Sequence, residues 1–350
     1  MNNKNFDCIV IGGGQSGLAL GYYLRRTDLS YLILDKNDKP GGSWQFTWDS
    51  LTLFSPAQFS SLPGWQMPKT RNLYPEKDEV IDYLTKYEEK YNLNVERSVL
   101  VKSVKKTDEG FILKTSKGDY FSKYLIASAG TYEKPLIPNI NGLDRFLGEQ
   151  IHSADYKVPQ DFVGKHTLVV GEGNSGAQII AELSKVTLTY WAVKKKPEFL
   201  PADVDGRVLF DSASAIYYAK KKGEKVDKST LNLGNIVQVP PVKEALEKGV
   251  LNEYGMIKSI KSNSVVWDNG EETLIDAIIW CTGFEYNTAF LNELTKVKPD
   301  GKIDLDNNEA IDCKGLYLVG YGGWTGFASA TLIGVGRTAR EVVKKINSTG

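Results

Sequence analysis

Two glycine loops of one design, and a strand-and-turn order that the second half of the chain repeats from the first, predict an α/β protein. It would hold two Rossmann-like dinucleotide-binding domains, each a three-layer ββα unit, with the second inserted into the first. The loops are Gly12-Gly13-Gly14-Gln15-Ser16-Gly17 and Gly171-Glu172-Gly173-Asn174-Ser175-Gly176. Each follows a short apolar run, Phe6 to Ile11 or Thr167 to Val170, and opens a helical pattern. Glycine suits such a turn because the bend is tight, a pyrophosphate approaches bare backbone, and the helix N-terminus offers free N–H groups to the anion. One such loop is weak testimony, since ordinary glycine turns share the spelling, but two in context carry weight.

The residue that closes the next strand separates the two loops. After the first, Tyr31-Leu32-Ile33-Leu34 ends in Asp35, a carboxylate placed to accept from an adenosine 2′-hydroxyl, so this site suits FAD or NAD. After the second, the strand runs into Lys194-Lys195-Lys196, and Lys194 stands as far from Gly171 as Asp35 does from Gly12. Ammonium groups there attract a 2′-phosphate, which favours NADPH and leaves NADH open. A solvated lysine run is the plainer reading.

The remaining elements follow in order. Leu51 to Pro68 is rich in Ser, Pro and aromatics without a sustained period and reads as ordered loop. Val80, Ile81, Leu84, Tyr87 and Tyr91 have helical spacing, with acids in the first turn. From Val99 to Gly130 the chain reads as a three-stranded meander, with turns at Asp108-Glu109-Gly110 and Lys117-Gly118, followed by a return strand ending Ser128-Ala129-Gly130. Residues 256 to 283 repeat that order through an Asn269-Gly270 hairpin to Cys281-Thr282-Gly283. A last strand at Gly315–Gly320 and a helix over Ala328–Ile346 would complete the first domain. The expected division is 1–140, 141–283 and 284–350. Pro135 and Pro138 mark the first crossing.

With 350 residues, 41% of them hydrophobic, the chain can bury two cores. Its formal net charge of zero gives no lead to nucleic acid or an acidic membrane surface, and the Lys220-Lys221-Lys222 run reads as a solvated face. No apolar run reaches the roughly 18 residues of a membrane span, and the polar start passes straight into a strand, so a cytoplasmic protein is expected. Cys8, Cys281 and Cys313 form no CxxC, and two histidines do not make a metal centre. No metal is expected.

The motifs beyond the loops resemble those of class B flavin-dependent monooxygenases, the group of flavin-containing and Baeyer–Villiger monooxygenases. Phe146-Leu147-Gly148-Glu149-Gln150-Ile151-His152-Ser153 resembles the FxGxxxHS signature and stands just before the second loop. Gly41-Gly42-Ser43-Trp44 resembles the GGxW segment, and Ser128-Ala129-Gly130 and Cys281-Thr282-Gly283 resemble the paired domain links. Leu53-Phe54-Ser55-Pro56, Gly320-Tyr321-Gly322-Gly323-Trp324 and Ala328-Ser329-Ala330-Thr331-Leu332-Ile333-Gly334 bring short bacterial members nearest.

The resemblance implies FAD held by Gly12, Gly14, Gln15, Ser16, Gly17, Asp35, Lys36, Gly42, Ser43, Trp44, Val101, Gly130, Gly320 and Ala328. It implies NADPH, or NADH, held by Gly171, Gly173, Asn174, Ser175, Gly176, Lys194, Lys195, Cys281, Thr282 and Gly283. The implied reaction is NADPH-dependent insertion of one oxygen atom from O2 into a small apolar thioether, amine or ketone through a flavin hydroperoxide, with no nucleic acid or membrane partner and a homodimer open. No side chain is assigned as catalytic. His152 is read as part of the linker or as a satisfied structural histidine, and Arg337 as a salt-bridge partner or a flavin contact. Asp203 to Pro241 is read as a lid or a surface excursion. Larger members carry an Asn near the flavin where this chain reads Phe54-Ser55-Pro56-Ala57-Gln58, with Ser55 and Gln58 as polar substitutes. An uncoupled NADPH oxidase, a flavin disulfide reductase and a flavin redox sensor remain as alternatives.

Overall fold

The computed structural model describes residues 4–223 and 235–349. It divides into two compact units, Met1–Gln45 with Ser55–Lys134 and Glu285–Gly350, and Phe46–Phe54 with Pro135–Phe284.

In the first unit β1 (Asn5–Ile11) leads through the first glycine loop into α1 (Gln15–Leu24) and returns as β2 (Tyr31–Leu34). Then come α2 (Lys77–Lys90), the short β3 (Val95–Glu96), and β4 (Val101–Lys106), β5 (Phe111–Thr115) and β6 (Gly118–Ala127). The β1, β2, β3 and β6 pairings are parallel, with β1 between β2 and β6. Strands buried on both faces read as near-continuous apolar runs, as Cys8-Ile9-Val10-Ile11 does. Ile9, Ile11, Leu32 and Leu34 pack on the meander residues Val104, Phe111 and Leu113, while Ile33 points at Gly21 of α1. The result is meander, sheet and helix in three layers.

The meander and the return strand are not separate here. β6 is one ten-residue strand whose first half pairs antiparallel with β5 and whose second half pairs parallel with β1. At about 3.3 Å per residue it is long enough to serve both sheets.

The second unit runs β7 (Glu149–His152), β8 (Thr167–Val170), α3 (Asn174–Leu183), β9 (Thr189–Ala192), α4 (Gly206–Lys221) and α5 (Pro240–Glu247). It continues with β10 (Ile257–Ile260), β11 (Ser264–Trp267), β12 (Glu272–Leu274) and β13 (Ala277–Trp280). The parallel sheet has the order β7-β13-β8-β9, and β10-β11-β12 form a separate antiparallel meander. Val169, Trp191 and Ile279 face α3 and α5, whereas Leu168, Ala192, Ile278 and Trp280 face the meander. The three layers recur. Residues 224–234 of the expected lid, and the side chains of Tyr217, Tyr218, Lys220 and Lys221, lie outside the described residues.

The chain closes the first unit with β14 (Leu305–Asp306), β15 (Glu309–Ala310), β16 (Leu316–Leu318) and α6 (Leu332–Thr349). β16 lies parallel to β6, and α6 packs on α1. The helix begins four residues later than expected. Ala328 has φ +53°, outside the helical region, and Thr331 is the residue that caps the helix, its Oγ1 accepting from Gly334 N–H at 3.0 Å. No helix among the described residues is long and apolar enough to cross a membrane.

Candidate functional site

Both glycine loops lie at the C-terminal end of a strand, β1 or β8, that is flanked by parallel neighbours reached in opposite directions. That is the switch point where α/β sheets bind ligands. The two loops are also alike in detail. Gly12 has φ +109° and a Cβ there would stand 2.5 Å from Ser128 O; Gly171 has φ +127° and its Cβ would stand 2.3 Å from Cys281 O. A Cβ on Gly17 or Gly176 would sit 1.9 or 2.1 Å from the carbonyl of the loop's own first glycine. Only glycine closes this turn.

Three helices have their N-termini satisfied by side chains, α2 by Glu79 Oε2 on Glu76 N–H at 2.9 Å, α4 by Asp205 Oδ1 on Arg207 and Val208 N–H at 2.9 and 3.1 Å, and α6 by Thr331. Helix α5 also lacks a side-chain cap, but Pro240 and Pro241 take away its first N–H groups. Helices α1 and α3 each start at a glycine, without a side-chain cap and without an acid in the first turn. Their free N–H groups and positive dipole ends are left for an anion. Gly173 adds a second sign. Its backbone is extended at φ −95°, which any residue adopts, yet no atom lies within 4 Å of where its Cβ would be.

Around the first loop the structure gathers most of the expected residues. Gly42 packs on Gly14, and the Gln15 side chain joins Trp44 Nε1 at 3.4 Å to Ala330 O at 2.6 Å. Ser16 Oγ fills the space over Gly320, and Gly130 O accepts from Asn287 N–H at 3.1 Å. Ser43 is exposed beside them. Asp35 is 4% exposed and bonded by Arg97, which also holds Glu88, and by the N–H groups of Asn37 and Gly13. Burial raises its pKa, and Arg97 and the two N–H groups oppose the rise. No spacing in the sequence marks Arg97, which lies far along the chain just beyond β3. Lys36 is paired with Glu133. Val101 lies in the core at the head of β4.

Around the second loop, Trp191 Nε1 donates to Gly171 O at 2.9 Å, and Asn174 Oδ1 accepts from Val237 N–H at 2.9 Å. Both bonds hold the loop. Lys194 and Lys195 are exposed and their ammonium groups have no partner among the described residues. Thr282 Oγ1 donates to Leu136 O. His152 Nδ1 accepts from Ala154 N–H at 3.1 Å, so Nε2 carries the proton and donates to Gly283 O at 3.0 Å. Burial holds its pKa below the ordinary 6.5. It is a neutral, satisfied histidine tied to the domain link.

The candidate substitutes for the missing Asn are also accounted for. Ser55 Oγ is bonded to Ser60 Oγ at 2.9 Å within a turn, and Gln58 is exposed. The Arg337 guanidinium stands 6.0 Å over the Phe327 ring.

The family model of pyridine nucleotide-disulphide oxidoreductases matches residues 9–208, which spans the first loop, the meander and the second loop. The chain belongs to that family. The chain is similar to a flavin-containing monooxygenase from Stenotrophomonas maltophilia, with 42% identity and a TM-score of 0.90 over 99% of each chain. The uncharacterized oxidoreductase CzcO of Bacillus subtilis is 33% identical over 98% of this chain and 99% of its own. The probable indole-3-pyruvate monooxygenase YUCCA8 of Arabidopsis thaliana is 28% identical over 89% of this chain and 83% of its own. This family member is therefore a flavoprotein oxidoreductase of the flavin monooxygenase group, with two Rossmann-like domains and with flavin and a nicotinamide nucleotide as cofactors. Its three cysteines are unpaired, and burial pushes every thiol up, that of Cys281 to about 12. A family member that works through a cysteine pair needs a thiolate, which these sites disfavour.

Proposed function

We propose that the chain binds FAD at the first loop and NADPH at the second and inserts one atom of O2 into a small apolar thioether, amine or ketone. The observation that carries the reading is the pair of helices that start uncapped at glycines, behind glycine turns of one design. Their fit to a pyrophosphate is supported by the open space over Gly173.

At the first loop the residues that would hold the flavin nucleotide are Gly12 to Gly17, with Asp35 toward the ribose. The Asp35 carboxylate has room for a further donor beyond Arg97, Asn37 and Gly13, since two ionised oxygens accept about four hydrogen bonds. Gln15, by tying Trp44 to Ala330, would keep the GGSW turn against the same loop. At the second loop Gly171 to Gly176 would hold the pyrophosphate and Lys194 and Lys195 the 2′-phosphate. The chemistry supplied when both cofactors are bound is hydride transfer and activation of O2. The protein's part is to position the two nucleotides and exclude water, and no titratable side chain is assigned a proton transfer.

The test is a stopped-flow absorbance record. The flavin-loaded protein is reduced anaerobically with NADPH and mixed with oxygenated buffer, with and without a simple aryl thioether. The expected result is a long-lived oxygenated state whose decay the thioether hastens, with sulfoxide formed. Direct return to oxidised flavin with stoichiometric peroxide would make the protein an NADPH oxidase instead.

A further inference from the structure

The two loops share one register: each residue of the first matches the residue 159 positions later in the second (171 − 12 = 194 − 35 = 159). At two of these positions the chemistry is exchanged. In the first unit the loop residue is Gly13 and the strand-end residue is Asp35. Asp35 Oδ2 stands 2.7 Å from where a Gly13 Cβ would be, and Gly13 N–H bonds the carboxylate. In the second unit the loop residue is Glu172 and the strand-end residue is Lys194. There Glu172 Oε2 accepts from Lys194 N–H at 3.3 Å.

A carboxylate therefore fills the gap between loop and strand end in both units. In one it comes from the strand, in the other from the loop. Glu172 is held by a main-chain N–H and not by either ammonium group, so among the described residues its charge is not cancelled by an ion pair. The lysines supply what a 2′-phosphate needs, and the carboxylate supplies what an unphosphorylated ribose needs, an acceptor for the 2′-hydroxyl.

We propose that Glu172 is a specificity-determining residue of the second loop: its carboxylate accepts from an adenosine 2′-hydroxyl and opposes a 2′-phosphate, so that the chain takes NADH as well as NADPH. The proposal rests on the reading of that loop as the nicotinamide nucleotide site.

The test is equilibrium binding, by calorimetry on the flavin-loaded protein, of AMP and of adenosine 2′,5′-bisphosphate, which differ only in the 2′-phosphate. Glu172→Gln keeps a side chain able to accept from Lys194 N–H and removes the charge. It should bind the bisphosphate about tenfold tighter, close to the size of one charge-assisted interaction, and AMP about threefold weaker, since the amide oxygen still accepts. Glu172→Gly, which gives the second loop the spelling of the first, should shift both ligands in the same directions. Lys194→Ala with Lys195→Ala should do the reverse for the bisphosphate and leave AMP unchanged. The ratio of kcat/KM for NADPH over NADH should follow the binding ratio. Equal shifts for both ligands in Glu172→Gln, or none, would overturn the proposal while leaving the nucleotide site standing. Failure of the wild-type protein to bind either ligand would remove the site itself, and the proposal with it.

Discussion

At the scale of single residues, the glycines of one loop divide into two kinds that behave oppositely on substitution. Gly176 is in a helix, where alanine usually stabilises, but its Cβ would stand 2.1 Å from Gly171 O. Gly176→Ala should lose about 2–3 kcal/mol in urea unfolding of the cofactor-free protein, as overpacking does. Gly173→Ala meets no protein atom and needs no unusual φ. It should leave unfolding within about 1 kcal/mol of wild type, yet weaken NADP⁺ binding at least about tenfold, because its methyl would stand where the nucleotide approaches. His152 gives a pH-dependent counterpart. Its pKa is lowered in the folded state, so the unfolded chain binds the proton more readily, and the histidine's contribution is present above pH 6.5 and lost as pH falls below it. Unfolding measured from pH 7.5 to 5.5 should show that loss in the wild type and not in His152→Gln. Residues of this kind were partly legible in the sequence. The glycine positions are visible because the turn tolerates nothing else, whereas the grip of Arg97 on Asp35 depends on where β3 delivers a distant side chain.

Among elements, the helix ends differ in how their first N–H groups are met. Helix α6 is capped by Thr331, and Thr331→Ala should cost about 1 kcal/mol in unfolding without changing nucleotide affinity at the second loop. The strand–loop–helix pieces at β1–α1 and β8–α3 were legible because their apolar runs, glycines and helical periods agree with each other. The start of α6 was not, since Ala328 adopts φ +53° in a segment whose composition is helical. Nor was the double service of β6. A strand's side chains alternate in the same way whether its neighbour runs parallel or antiparallel, so the pattern does not mark where the partner changes.

For the whole molecule, two units of one plan should respond separately to their ligands. Hydrogen exchange on the flavin-loaded protein should show added NADP⁺ protecting amides of 171–176 and 193–196, and removal of flavin exposing those of 12–17 and 35–37. Protection spread evenly over both loops by either ligand would contradict the assignment of one nucleotide to each. The plan also bears on how the protein is made. β16 covers the edge of β6, and the ribosome finishes β6 long before it reaches residue 316. At about 5–20 residues per second the nascent chain carries that bare edge for on the order of 10–40 s. The longer part of the second unit, Pro135–Phe284, is synthesised in that interval. An uncovered strand edge is a template for pairing with other chains, so premature termination before β16 should yield a product prone to aggregate.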